Sequence, residues 1–213
     1  MVEAMRAATW LLALLALCGC ATSSPLPTSA SAAPPAIEAL EVHPIFATWF
    51  LINEHYEGQL GELGDALGAD CFVARLVEEQ GRSWLRAYRG DGARNEDWYG
   101  WRAEVLAPIS GEVVKIHENA RTNDPGAFEP GIASYVVLRH DDGTHVLVAH
   151  LQEMAVQVGE RVTAGQPIGR VGNNGNSRHP HVHLGAWRNG RPLQLRFDLR
   201  AMATLRQQHA DAD

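Results

Sequence analysis

Pro180-His181-Val182-His183-Leu184 places two imidazoles two residues apart in an apolar run. Side chains of a β-strand alternate between faces, so His181 and His183 project to one surface while Val182, Leu184 and Ala186 project to the other. A second apolar run, Val146-Leu147-Val148-Ala149-His150-Leu151, delivers one more histidine at its end. Imidazole is both the commonest metal ligand and the side chain that moves protons near neutral pH. A single histidine in such a run would ordinarily be satisfied by hydrogen bonds, but a pair on one face with a third nearby points to a metal.

The elements that must position these rings are strands. From about Ile45 the chain runs in short β-branched or aromatic stretches separated by turn signals, with no long helical periodicity. Phe72–Val77 and Trp84–Arg89 flank Glu79-Gln80-Gly81-Arg82 as one hairpin. Tyr135–His140 and His145–Leu151 form another, joined at Asp142-Gly143, a dipeptide favoured in tight turns. Gly111–Ile116 and Val156–Val162 are further strands, and Met202–His209 is the one short helical stretch. The pattern predicts an all-β fold, a compact antiparallel β-sandwich or open barrel. Residues 118–131, rich in Pro and Gly, read as a long loop over one face, either a groove wall or a solvated insertion.

The ends of the chain read differently. Residues 1–19 have the short apolar core of a secretory signal, too short for a permanent membrane span. Leu17-Cys18-Gly19-Cys20 resembles a bacterial lipobox, with Cys20 as the lipid anchor to a membrane; the alternative is an ordinary cleaved signal. Residues 20–42, dominated at first by Ser, Thr, Ala and Pro, read as a tether. Residues 43–200 are one domain's worth of chain, and 201–213 a short tail. Cys71 would be the one thiol left after signal removal, so no intrachain disulfide is expected. Ala21 after the anchor, rather than aspartate, favours a cell-envelope lipoprotein of the outer membrane facing the periplasm. The formal net charge of −7 argues against nucleic acid as a partner.

Five segments in order resemble the lysostaphin-type (LytM-like) zinc metallopeptidases. They are Ala107–Val113, Val148–Leu151, Val158–Gly169, Gly172–Gly175 and Pro180–Leu184. The resemblance implies a compact β fold with a narrow groove, a Zn2+ cofactor, and cleavage of peptidoglycan peptide. It makes His183 a metal ligand and His150 and His181 unligated catalytic histidines. The family's first two ligands usually stand as His-x-x-x-Asp; Gly68-Ala69-Asp70 supplies the Asp, but Ala66 stands where the His is expected.

No histidine lies between His55 and His117. Asn53-Glu54-His55 resembles a family variant in which the His precedes the Asp by a longer loop, which makes His55, Asp70 and His183 the expected metal set. Lengthening a loop costs only about 0.6 kcal/mol per doubling, so a glycine-containing loop can bring its ends together. The competing reading of His55 is a residue that merely ends a strand, and His43 is a poorer candidate.

Cys71 is expected in the core on the face opposite Asp70, and the aromatics Trp84, Tyr88, Trp98, Tyr99 and Trp101 are expected mostly in the core. His117, His140 and His145 are expected at the surface, and His179 at the mouth of the groove. Two functions stay open: a zinc endopeptidase, or an inactive domain of the same type that binds peptidoglycan or regulates a cell-wall amidase partner. A biotinyl- or lipoyl-type carrier lacks support, since Lys115 is the sole lysine and no carrier lysine motif surrounds it.

Overall fold

The strand Val182–Arg188 is buried along most of its length, and the sheet is arranged around it. The computed structural model describes residues 36–127 and 129–210. Among these, the strands in chain order begin with β1 (Ala39–Val42), β2 (Phe50–Glu54), β3 (Ala69–Val73), β4 (Arg75–Glu79) and β5 (Arg82–Arg86). They continue with β6 (Glu104–Leu106), β7 (Gly111–His117), β8 (Tyr135–Arg139), β9 (His145–Ala149) and β10 (Leu151–Gln152). The last are β11 (Arg161–Val162), β12 (Pro167–Val171), β13 (Val182–Arg188) and β14 (Arg191–Phe197), followed by helix α1 (Leu199–Ala210).

A nine-stranded sheet runs β1-β14-β13-β9-β8-β7-β11, with β3 added to β13 and β2 to β3. The protein is all-β, its main sheet curled into a half-barrel. One edge of β13 pairs with β9 over five residues, from His183↔Ala149 to Trp187↔His145. Its other edge is shared: β3 takes Val182–Leu184 and β14 takes Ala186–Arg188. The core packs Val113, Val136, Leu138, Val146, Val148 and Leu184, all essentially without exposure. These are the inward positions of alternating strands.

The structure corrects several sequence expectations. The tether does not extend to residue 42, because Ala39–Val42 pairs with Gln194–Phe197, and does so in parallel. The first hairpin turns at Gln80-Gly81 as expected, but Phe72 belongs to β3. Only Arg161–Val162 of the strand expected over 156–162 forms. The helix starts at Leu199, three residues early, because Asp198 Oδ1 accepts the backbone N–H groups of Arg200 (2.8 Å) and Ala201 (3.1 Å) and caps it. None of the five aromatics is fully buried, and Trp84 is 39% exposed. Cys71 is buried, as expected. The signal segment, Cys20 and the tether up to residue 35 lie outside the described residues.

One close approach links fold and site. A Cβ on Gly185 would stand 1.6 Å from Gly64 O and 2.3 Å from Gly64 C, so the backbone of the β2–β3 loop lies directly on β13. Only a glycine lets the two chains meet there. Gly185→Ala should therefore lower stability by about 1–3 kcal/mol in thermal or urea unfolding. An unchanged midpoint would mean that the loop is not seated on β13.

Candidate metal centre

Sheet register assembles the site. Asp70 on β3 is the direct cross-strand partner of His183 on β13, so the two side chains share one face. Ala149 is the partner of His183 on the other side, and His150 follows it. His150 takes φ +61°, a left-handed conformation that ends β9 and turns the chain into β10. His55 lies just past the end of β2, where its N–H donates to Gly68 O (2.8 Å) and closes the β2–β3 loop.

The ligand atoms of His55, Asp70 and His183 all lie within 4.8 Å of one another. Hydrogen bonding decides which nitrogen of each ring faces the others. A backbone carbonyl only accepts, so His183 Nε2–H donates to Gly64 O (2.8 Å), leaving Nδ1 toward Asp70 Oδ1 (3.0 Å). His55 Nδ1–H likewise donates to Asp65 O (3.1 Å), leaving Nε2 toward Asp70 Oδ2 (3.4 Å). The two remaining ring nitrogens thus converge on a carboxylate, a donor set suited to a metal ion. The backbone of Gly64 and Asp65 anchors both rings from behind, the outer-shell arrangement usual for histidine ligands.

His150 and His181 follow the pattern of His55, the reverse of that of His183. His150 Nδ1–H donates to Asn174 O (2.8 Å), and His181 Nδ1–H donates to His179 O (2.8 Å), with Ser177 Oγ 3.3 Å away. Each ring therefore keeps Nε2 as its unprotonated nitrogen when neutral. Their ring centroids are 4.5 Å apart, and His181 Nε2 lies 3.5 Å from Asp70 Oδ1. Phe72 stacks on His181 (centroids 5.0 Å, planes 17° apart), and Trp98 stacks on His179 (4.7 Å, 28°). Within the aromatic insert at residues 72–101, Phe72 and Trp98 thus brace the histidine cluster, while Tyr99 packs against the core.

An open groove of about 590 Å³ contains all four histidines. Gly131, Ile132 and Ala133, from the end of the long loop, form one wall; Leu60 and Asp65, from the β2–β3 loop, form another. Buried amides hold the wall in place: Asn174 Oδ1 accepts Ser134 N–H (2.7 Å), and Asn123 Nδ2 donates to Gly175 O (2.9 Å) and Ser177 O (2.8 Å). His179 lines the groove, whereas His43 lies elsewhere, beside Gly165. His117 and His145 are half-buried and His140 is exposed.

Electrostatics follow from this packing. Burial would raise the Asp70 pKa, but the His181 and His183 rings beside it outweigh that effect and hold the carboxyl far below its ordinary range. Burial would lower His183, yet Asp65 and Asp70 prevail and lift it to about 9. Burial pushes His150 well below the ordinary histidine value, so it is neutral at pH 7. Sequence reasoning missed Gly64, Asp65, Phe72 and Asn174; a turn residue with an acidic side chain beside glycines carries no signal that marks it as a neighbour of His183.

The half-barrel sheet thus gathers histidines and a carboxylate in one open groove, a cluster that could hold a metal ion. Residues 99–195 match the model of peptidase family M23. That match contains His150, His181 and His183, while His55 and Asp70 precede it. An uncharacterized metalloprotease of Haemophilus influenzae is 34% identical over 90 residues, 42% of this chain and 17% of the relative. The DD-carboxypeptidase/endopeptidase Mpg of Neisseria meningitidis is 40% identical over 63 residues, 30% of this chain and 14% of the relative. The chain thus spans less than a fifth of the length of these relatives. The catalytic domain of lysostaphin from Staphylococcus simulans is 22% identical, with a TM-score of 0.41 covering 66% of this chain and 81% of that one.

Without a divalent metal, a proton bridges His183 and Asp70, and its effect on stability has a definite sign. A histidine whose pKa is raised on folding stabilises fully below its unfolded value near 6.5, and that contribution is lost as pH rises toward 9. In the presence of chelator the melting temperature should fall between pH 6.5 and 9, and the fall should be absent in His183→Asn. Equal slopes for the two proteins would refute the assignment.

Proposed function

We propose that this chain is a zinc-dependent endopeptidase that cleaves peptide stems or cross-links of bacterial peptidoglycan. The observation that carries the reading is the convergence of two imidazole lone pairs and one carboxylate in an open groove, beside two further histidines. The M23 domain and the endopeptidase name of the Neisseria relative support it.

The donor set suits zinc. Two nitrogens and one carboxylate oxygen leave a fourth tetrahedral position open, the pattern of a catalytic rather than a structural zinc site. His55, Asp70 and His183 would hold the ion, which supplies Lewis-acid polarisation of the scissile carbonyl. The remaining chemistry belongs to the chain. His150 and His181, whose Nε2 atoms are turned away from their Nδ1–H bonds, accept the proton of the attacking water and return it to the departing amine. Their Nδ1–H bonds to Asn174 O and His179 O fix each tautomer in advance. The walls at Leu60 and Ile132 present apolar surface to an extended peptide, both residues being exposed. A lipid on Cys20 would hold the domain at the outer membrane, facing the periplasm and within reach of this substrate.

Digestion of purified sacculi with the zinc-reconstituted protein, followed by analysis of the released fragments, tests the proposal. His181→Ala should lower cleavage about 10²–10⁴-fold while zinc content stays near that of the wild type. His55→Ala and His183→Ala should lose both zinc and cleavage. A reconstituted wild-type chain that binds no zinc and releases no fragments would overturn the proposal in favour of an inactive domain that binds peptidoglycan or regulates a cell-wall amidase.

A further inference from the structure

The β2–β3 loop contributes more than backbone to the site. Asp65 Oδ1 lies 3.2 Å from His183 Nε2, on the same ring nitrogen that donates to Gly64 O at 2.8 Å. Asp65 therefore shares one N–H with a carbonyl, forming a three-centre contact on the side of the ring away from Asp70. The imidazole is 7% exposed, and the Asp65 carboxylate, 46% exposed, reaches it from the groove. This carboxylate is on the wrong side of the ring to share an ion with Nδ1, so it is not a further ligand.

The turn that presents Asp65 is set by its own backbone. Asp65 N–H and Ala66 N–H both donate to Glu62 O (3.0 and 2.9 Å), and Gly68 N–H donates to Asp65 O (3.0 Å). The side chain is therefore not needed to shape the loop. A carboxylate behind a histidine ligand orients the ring and increases its donor strength, because the ring's N–H is drawn toward a negative charge. His55 differs, since only a neutral carbonyl stands behind it.

We propose that Asp65 is a positioning residue for the metal centre: through His183 Nε2 its carboxylate orients and strengthens the Nδ1 donor, and so sets how tightly the site retains its ion. The inference rests on the zinc reading above. It assigns a role to a residue five positions before Asp70, in the stretch between the two ligands His55 and Asp70.

Competition for zinc between the full chain and a chromophoric chelator tests it. Asp65→Asn keeps the size and an acceptor oxygen but removes the charge, and should weaken zinc binding about 10–100-fold. Asp65→Glu should recover most of the affinity, which a merely structural contribution would not explain. If the wild type binds zinc and Asp65→Asn binds it equally well, this inference alone is overturned. If the reconstituted wild type binds none, the zinc reading fails and the inference falls with it.

Discussion

Asp70 faces His183 across a single antiparallel register pair, and the site is organised by that juxtaposition. A carboxylate partly withdrawn from water is unfavourable unless it is paired, and this one has three imidazoles around it. A one-residue slip of β3 on β13 would send Asp70 to the core face and Cys71 to the groove. The alternating burial of β3, with Ala69, Cys71 and Val73 inward, guards against that slip. Hydrophobic packing thus holds the polar site in register.

Close backbone approach is the second constraint. Gly64 can accept from His183 only because Gly185 leaves room for it. Gly68 is equally confined, since a Cβ there would stand 2.7 Å from Leu184 O and 3.0 Å from His183 Cε1. The loop between His55 and Asp70 is therefore a fitted part of the site, although it has few apolar contacts of its own. It brings two carbonyls behind two rings, so both histidines present a lone pair to the carboxylate.

The opposite side of the groove is organised by amides. Asn95, Asn123, Asn173 and Asn174 are buried and tie the aromatic insert, the long loop and the segment before the His-x-His pair together. Because the same segment receives the Nδ1–H bonds of His150 and His181, the groove wall and these two rings share one framework.

The sequence alone determined the all-β character, because alternation and turn chemistry are local: Asp142-Gly143 ends one strand and begins another whatever lies around them. The common face of His181 and His183 was legible for the same reason, as was the burial of Cys71 opposite Asp70. No pattern of its own marks His55; its place in the expected metal set rests on the family resemblance and on the lack of any histidine between it and His117. Only tertiary structure decided that it meets Asp70 and His183, since the last two are 113 residues apart and no local period encodes their register. The parallel pairing of β1, the bracing of His181 by Phe72 and the seat of Asp65 behind His183 have the same origin. Each depends on which backbone a glycine allows to approach, and that is settled when the sheet curls.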